Sequence, residues 1–192
     1  EDYAGLWVHW AFTKDVASGE MAIYKDGVLW HSGQDKVRPV LDVVRMNIGS
    51  AAGWSNYYNG AMDDFRIWDV ALDEATIFAW KDRAVESSHP AFDDLLVAYA
   101  FEGGNGTPEE NLAAGGGLGY HHGTTLRRER TSRDLFKGGG AGIGDGLAAV
   151  RPRVKFGRGQ YLVAIADGAV LELHPVAPLS LSSWSLVDLT SG

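Results

Sequence analysis

Hydrophobic and polar residues alternate near the start of the chain with the period of a β-strand. Within residues 6–13, Val8, Trp10 and Phe12 share one face, and the residues between them are also bulky. Large side chains on both faces predict a central strand that is covered on both sides. A second strand with the same period is predicted over residues 20–25.

A tight turn and three more strands are predicted next. Asp26-Gly27 supplies the positive φ that a two-residue hairpin turn needs. The return strand is predicted over residues 28–31, and further strands over residues 43–48 and 61–68. A loop rich in Gly, Ser, Asn and Tyr separates the last two.

One segment has the pattern of a short helix. Asp73 is a suitable N-cap for a helix over residues 73–83, and Glu74 suits its first turn. Ile77 and Trp80 are three residues apart, so we expect both to face a sheet. The predicted strands are therefore interrupted by one short helix, and the pattern does not predict an α-rich fold.

The second half of the chain returns to strands after Ser87-Ser88-His89-Pro90, which has the composition of a linker. Strands are predicted over residues 154–166, 170–173 and 180–189. Together with the first half, this pattern predicts an all-β fold.

Composition narrows the possible functions. The 192 residues include 45% hydrophobic residues and 25 Gly, which suits a β-rich chain with its own core. The net charge of −8 disfavours nucleic-acid binding. Cysteine is absent, which excludes disulfides, thiolate metal sites and Cys nucleophiles. No apolar run reaches the ~20 residues of a membrane span.

Two stretches resemble a known family. Residues 7–33 and the stretch Gly60-Ala-Met-Asp-Asp-Phe-Arg-Ile-Trp68 resemble the second half of a laminin G-like domain, in the concanavalin A-like lectin-glucanase superfamily. Residues 95–107 resemble the opening strand of such a domain, and residues 117–124 roughly match the segment after it. The resemblance implies an antiparallel β-sandwich jelly roll with one short helix.

The order of the resembling stretches predicts an unusual domain organisation. Residues 1–88 are interpreted as the C-terminal half of one laminin G-like domain, 89–94 as a linker, and 95–192 as the N-terminal part of a second domain. An alternative is one permuted jelly roll over residues 1–192. A third possibility is that another chain supplies the missing strands. Uncovered sheet edges would then be covered by neighbouring domains or subunits.

The family resemblance also suggests a class of function. It implies a non-catalytic extracellular module of a larger surface or secreted protein, which binds carbohydrate or mediates adhesion to a glycan or protein at a cell surface. The competing hypothesis is a structural module that packs against neighbouring subunits. Glucanases of the superfamily carry a Glu-x-Asp-x-Glu-like pattern. The chain lacks it, and Glu172 stands alone, so we expect no enzyme activity.

An aromatic loop is the predicted sugar-binding site. Flat aromatic faces stack on sugar C–H groups, and Asn amides bind hydroxyls. Loops on rigid β scaffolds often carry binding residues. The alternative is that the rings close over the edge of the core. The predicted ligand-binding residues are Trp54, Asn56, Tyr57, Tyr58 and Asn59.

Two adjacent acids are the predicted metal site. Asp63 and Asp64 would point to opposite faces of a regular strand, unless a bulge intervenes. Some family members bind calcium near this aspartate, helped by the turn after the opening strand, which here offers Glu109, Glu110 and Asn111. The alternative is that both acids accept hydrogen bonds from nearby backbone.

Overall fold

The computed structural model describes residues 7–51, 55–101, 108–114, 116–128, 160–164 and 170–191. Helix α1 (Glu74–Trp80) and a 3-10 helix (Phe92–Asp94) interrupt the strands. The strands of the described part are β1 (Trp7–Asp15), β2 (Glu20–Lys25), β3 (Val28–Gly33), β4 (Val40–Val43), β5 (Met46–Ile48), β6 (Gly60–Trp68), β7 (Leu95–Tyr99), β8 (Gly119–His122), β9 (Thr125–Arg128), β10 (Gln160–Ala164), β11 (Val170–Leu173), β12 (Leu179–Leu181) and β13 (Ser183–Ser191).

A large antiparallel sheet forms the first layer. Within the described residues its order is β3-β2-β1-β13-β6-β10-β9, and β7 also pairs with β6. Strand β1 lies between β2 and β13, which confirms that the first strand is central. Strand β6 pairs with β13, and it also pairs with β10 near its start and with β7 near its end.

Two smaller sheets contribute the opposing layer. In the described chain, β5, β11 and β8 form a three-stranded sheet with β11 in the middle, and β12 pairs with β4. The single strand predicted over residues 43–48 is wrong in detail. Val43 pairs with β12, whereas β5 pairs with β11, so the chain changes partner strand after Val43.

The main core lies between these layers. Phe65 and Ile67 of β6 and Val97 of β7 meet Leu171 and Leu173 of β11 in one buried hydrophobic cluster. Each contributing strand gives alternate residues to this cluster, as the period-two pattern requires. The residues that the structure describes therefore form an antiparallel β-sandwich with one α-helix, as the sequence predicts.

A second hydrophobic cluster lies on the other face of the large sheet. Helix α1 starts at the predicted N-cap, where Asp73 accepts a hydrogen bond from the Thr76 amide at 2.7 Å. The helix ends at Trp80, earlier than predicted. Ile77 is buried against Trp68 of β6, which confirms that the helix covers the sheet.

Strands from the two ends of the chain share the sheets. Strand β13 lies between β1 and β6, β11 pairs with β5, and β12 pairs with β4. Residues 1–88 and 95–192 therefore contact each other through backbone pairing. Whether they form halves of successive repeats or one permuted jelly roll stays a prediction.

Candidate functional site

The three-stranded sheet has one apolar face and one polar face. On β11, Leu171 and Leu173 point into the main core, so Glu172 between them points outward. Glu172 pairs with Asn47 of β5 on one side and with Tyr120 of β8 on the other. Directly paired residues share a face, so all three lie on what we call the outer face.

Glu172 is the centre of the outer face, with three nitrogen-bearing side chains around its carboxylate. One carboxylate oxygen, Oε1, lies 3.1 Å from the Arg45 guanidinium. The other, Oε2, lies 3.2 Å from Nε2 of His122 and 3.5 Å from Nε2 of His174. Both carboxylate oxygens therefore have a partner, which offsets the cost of burying an anion.

The pKa of Glu172 reflects two opposing influences. Burial raises the pKa of this carboxyl group, because it disfavours the charged form. The hydrogen bond from His174, the charge of Arg45 and the contact with His122 lower the pKa by more, so the net pKa lies below its ordinary value. Glu172 is therefore ionised at neutral pH and is poorly suited to donate a proton as a general acid.

The side chains around Glu172 are far more accessible than Glu172 itself. The Glu172 side chain is 9% exposed, whereas Arg45, His174 and His122 are 55%, 47% and 37% exposed. Tyr120 is also well exposed, at 42%. A molecule that approaches this face meets the Tyr120 ring, the Arg45 guanidinium and two imidazole rings before it meets the carboxylate.

Tyr120 and His174 form the aromatic part of the face. Their rings meet edge to face, with centroids 5.4 Å apart and planes at 87°. The backbones of Gly117 and His174 approach each other closely. A Cβ atom at Gly117 would lie only 1.6 Å from the His174 carbonyl oxygen. Position 117 therefore requires glycine.

His121 and His122 serve opposite faces of β8, because neighbouring residues of a strand alternate between its two faces. His122 reaches Glu172 on the outer face. The buried His121 ring points the other way, with Nε2 3.6 Å from the buried Glu109 carboxylate and Nδ1 2.8 Å from the Thr124 hydroxyl. The inner pair is enclosed by protein, so it has a structural role.

The outer face is the site that sequence reasoning missed. Glu172 has no acidic neighbour along the chain, and its partners come from residues 45, 120, 122 and 174. The available signal was modest. Tyr120 and His122 alternate on one strand, and Glu172 and His174 alternate on another. Only the pairing of β8 with β11 brings these two patterns together.

The predicted sugar-binding loop is only partly visible in the described residues. Trp54 lies outside them. Asn56 and Asn59 are exposed, and Tyr57 is half-buried. Tyr58 packs against the main core, and its amide donates to the Gly49 carbonyl at 2.8 Å. Tyr58 thus has a packing contact that anchors the loop, and sugar binding by these residues stays a prediction.

A bulge in β6 follows Asp63 and includes Asp64. Asp63 pairs with Leu189 of β13, and Arg66 pairs with Val187. Two residues of β6 therefore lie opposite the one residue of β13 between these pairs. Asp64 has a positive φ of 52°, which Asp tolerates better than most residues. The bulge that was the condition for Asp63 and Asp64 to depart from the regular alternation of a strand is therefore present.

The surroundings of these acids bear on the calcium prediction. Asp63 is almost fully buried, whereas Asp64 lies 3.2 Å from the guanidinium of Arg66. Asn111 uses its side chain to join the backbone of Leu96 and Ala98. In the part of the chain that the structure describes, no group of three or more His, Asp or Glu residues is arranged to hold a metal ion. Calcium at Asp63 and Asp64 stays a prediction.

Fold and site together define an antiparallel β-sandwich with a polar and aromatic outer face. Residues 3–78 match the model of a laminin G-like family described as the concanavalin A-like lectin/glucanases superfamily. This confirms the resemblance for that segment, which holds β1 to β6 and the start of α1. No curated protein and no solved structure matches the chain significantly.

Over the described ranges, no helix has both the length and the apolar character needed to cross a bilayer.

Proposed function

We propose that this chain is a non-catalytic recognition module that binds carbohydrate on the outer face of the three-stranded sheet. The observation that carries the proposal is the exposed Tyr120–His174 ring pair beside the Arg45–Glu172 ion pair. Aromatic rings supply stacking surface for sugars, and charged groups held in place supply directional hydrogen bonds. An extracellular or cell-surface location of the parent protein follows as part of this proposal.

The arrangement favours binding over hydrolysis. Glycoside hydrolysis uses two carboxyl groups, one of them protonated at the working pH. On the outer face, the described partners of Glu172 are Arg45, His122 and His174, not a second acid. A single carboxylate with a lowered pKa supports the orientation of neighbouring donors.

A glycan array followed by isothermal titration tests the proposal. Tyr120→Ala and His174→Ala are each expected to weaken binding of the best array ligand at least about tenfold, because they remove a stacking surface or its neighbour. The matched controls are Trp30→Ala and His31→Ala. These residues also form an exposed edge-to-face pair, with centroids 4.4 Å apart, but on β3 of the large sheet.

The results separate the candidate surfaces. Loss with Tyr120→Ala and His174→Ala, but not with the β3 controls, supports the outer face. Loss with Tyr57→Ala alone returns the site to the aromatic loop and overturns the outer-face assignment. Absence of any glycan signal, with folding verified by circular dichroism, overturns carbohydrate binding altogether.

The assembly hypothesis is favoured by a different observation. Val28, Leu29 and Trp30 on β3 are all exposed, although they are large and apolar. The edge is nevertheless shielded from backbone pairing, because Glu74 accepts from the Leu29 amide at 3.0 Å and the register shifts near Trp30. Association through β3 would therefore use side chains. Sedimentation showing oligomers that Trp30→Ser dissolves would support it, and a monomer at all concentrations would reject self-assembly.

A further inference from the structure

The outer face presents a layered distribution of charge. The acid lies underneath and is nearly buried, and the nitrogen-bearing side chains lie above it. Arg45 contacts Glu172 through one nitrogen, and a guanidinium carries five N–H donors in a planar fork. The exposed part of Arg45 can therefore donate to a second acceptor.

The imidazole of His174 adds to this layer. Its Nε2 faces a carboxylate oxygen, and a ring nitrogen in that position carries the proton. Glu172 thus holds the His174 ring and the Arg45 guanidinium with their N–H groups directed by a common anion. The donors left for a ligand are the remaining N–H groups of the Arg45 guanidinium, whereas the Nε2–H of His174 is directed at Glu172.

The outer face contrasts with the chain as a whole. The net charge is −8, so an anionic ligand is repelled by most of the surface. The remaining N–H groups of Arg45 are then a place where such a ligand gains specific hydrogen bonds. Planar carboxylates match the guanidinium fork in two parallel hydrogen bonds.

The positions of Arg45 and Tyr120 limit which ligands could contact both residues. Arg45 lies beside β5 and Tyr120 lies on β8, with β11 between them. The backbones of β5 and β8 are two strand spacings, about 10 Å, apart, and the Arg45 guanidinium reaches Glu172 on the strand between them. A ligand that touches both Arg45 and Tyr120 needs a ring face as well as a negative group, and a small inorganic anion offers no ring face.

We infer that the outer face selects acidic oligosaccharides, with a sugar carboxylate on Arg45 and a sugar ring against Tyr120. This inference rests on the proposed carbohydrate-binding function and names its ligand class. Glu172 acts as a positioning residue that orients Arg45 and His174.

Titration calorimetry with a matched pair of ligands tests the inference. The probes are oligogalacturonates and the same oligomers with their carboxyl groups reduced to alcohols. We expect the acidic oligomers to bind at least about tenfold more tightly, because a bidentate charge-assisted contact is lost on reduction. Arg45→Gln should remove that preference and leave the weaker binding of the reduced oligomers.

Arg38→Gln is the matched control. Arg38 is another exposed arginine, and its replacement changes the net charge equally. We expect less than about a twofold change with this variant, since Arg38 precedes β4 and is not part of the three-stranded sheet, and surface charges without a direct contact are screened by salt. An equal loss from both arginine variants would reject a specific contact and overturn the inference.

The remaining outcomes also discriminate. Equal binding of acidic and reduced oligomers overturns acidic selectivity but leaves carbohydrate binding intact. Failure of both oligomers on the outer face, together with a silent glycan array, overturns the proposed function itself. Displacement of the acidic oligomer by millimolar inorganic sulfate at constant ionic strength would assign the site to small anions and reject the sugar.

Discussion

Histidine beside an aromatic ring occurs in two regions of this molecule with opposite surroundings. Under helix α1, His89 is buried, stacked on Trp68 with centroids 5.2 Å apart and edge-on to Trp80 at 4.8 Å. On the outer face, His174 meets Tyr120 in a similar ring contact but is half-exposed. Both regions therefore contain a histidine in contact with an aromatic ring, but the two histidines differ in burial and in the charge of the neighbouring side chain.

The difference indicates which histidine is structural. Nδ1 of His89 accepts from the Ala91 amide at 3.1 Å, which fixes the ring in its neutral form. Burial, and then the nearby Arg66 charge, lower the pKa of His89. His174 instead points at a carboxylate and remains accessible. The first arrangement stabilises the fold, and the second is available to a ligand.

The largest expected contrast is between Trp68 and Tyr120. Trp68→Ala should lower the free energy of unfolding by about 3–5 kcal/mol, because it leaves a cavity between helix α1 and the large sheet. Tyr120→Ala should lower it by only about 1 kcal/mol, since the residue is 42% exposed and the change removes chiefly the ring contact with His174. Chemical denaturation measures both values.

Glycan binding should show the reverse order in those variants. Trp68→Ala, assayed at a temperature where it remains folded, should keep ligand affinity, whereas Tyr120→Ala should lose it. Similar stability losses in both variants would erase the distinction between the two regions.

The pH dependence of stability should next reveal the contribution of the buried His89. Because the pKa of His89 is lower in the folded state, the unfolded chain takes up this proton first. The contribution of His89 is complete above its unfolded pKa of about 6.5 and is lost as pH falls below that value. The slope can reach about 1.4 kcal/mol per pH unit for one proton.

Denaturation of the parent protein and of His89→Gln at several pH values between 7.5 and 5 checks this expectation. The His89 variant should be less stable at neutral pH but have a flatter profile than the parent. A parental profile that is already flat over this range would contradict the assignment of His89.

Strand patterning and local motifs carried most of the fold prediction. Period-two alternation found β1 and β2, Asp26-Gly27 found the hairpin, and Asp73 found the helix start. Each of these signals lies within a few neighbouring residues, where sequence directly limits backbone geometry. The partner change after Val43 has no such local signal, because it depends on which distant strands are available.

The site was less predictable for the same reason. His122 and Glu172 are 50 residues apart, and they meet only because β8 and β11 pair in one register. A shift by one residue would turn Glu172 into the core. Aromatic residues clustered in sequence, such as Tyr57 and Tyr58, attract attention more easily, yet Tyr58 packs on the core.

The helix cap gives the smallest expected effect and the sharpest test of independence between the regions. Asp73→Ala removes the acceptor for the Thr76 amide and should lower the free energy of unfolding by about 1 kcal/mol. Helix α1 carries Trp80, which covers His89, so hydrogen exchange should rise in the helix and around His89.

Glycan affinity should remain within about twofold of the parent, because the outer face belongs to the opposing layer. Asp73→Asn, which retains a capping oxygen, should restore most of the lost stability. A matching loss of affinity in Asp73→Ala would mean that the two regions are coupled through the sandwich.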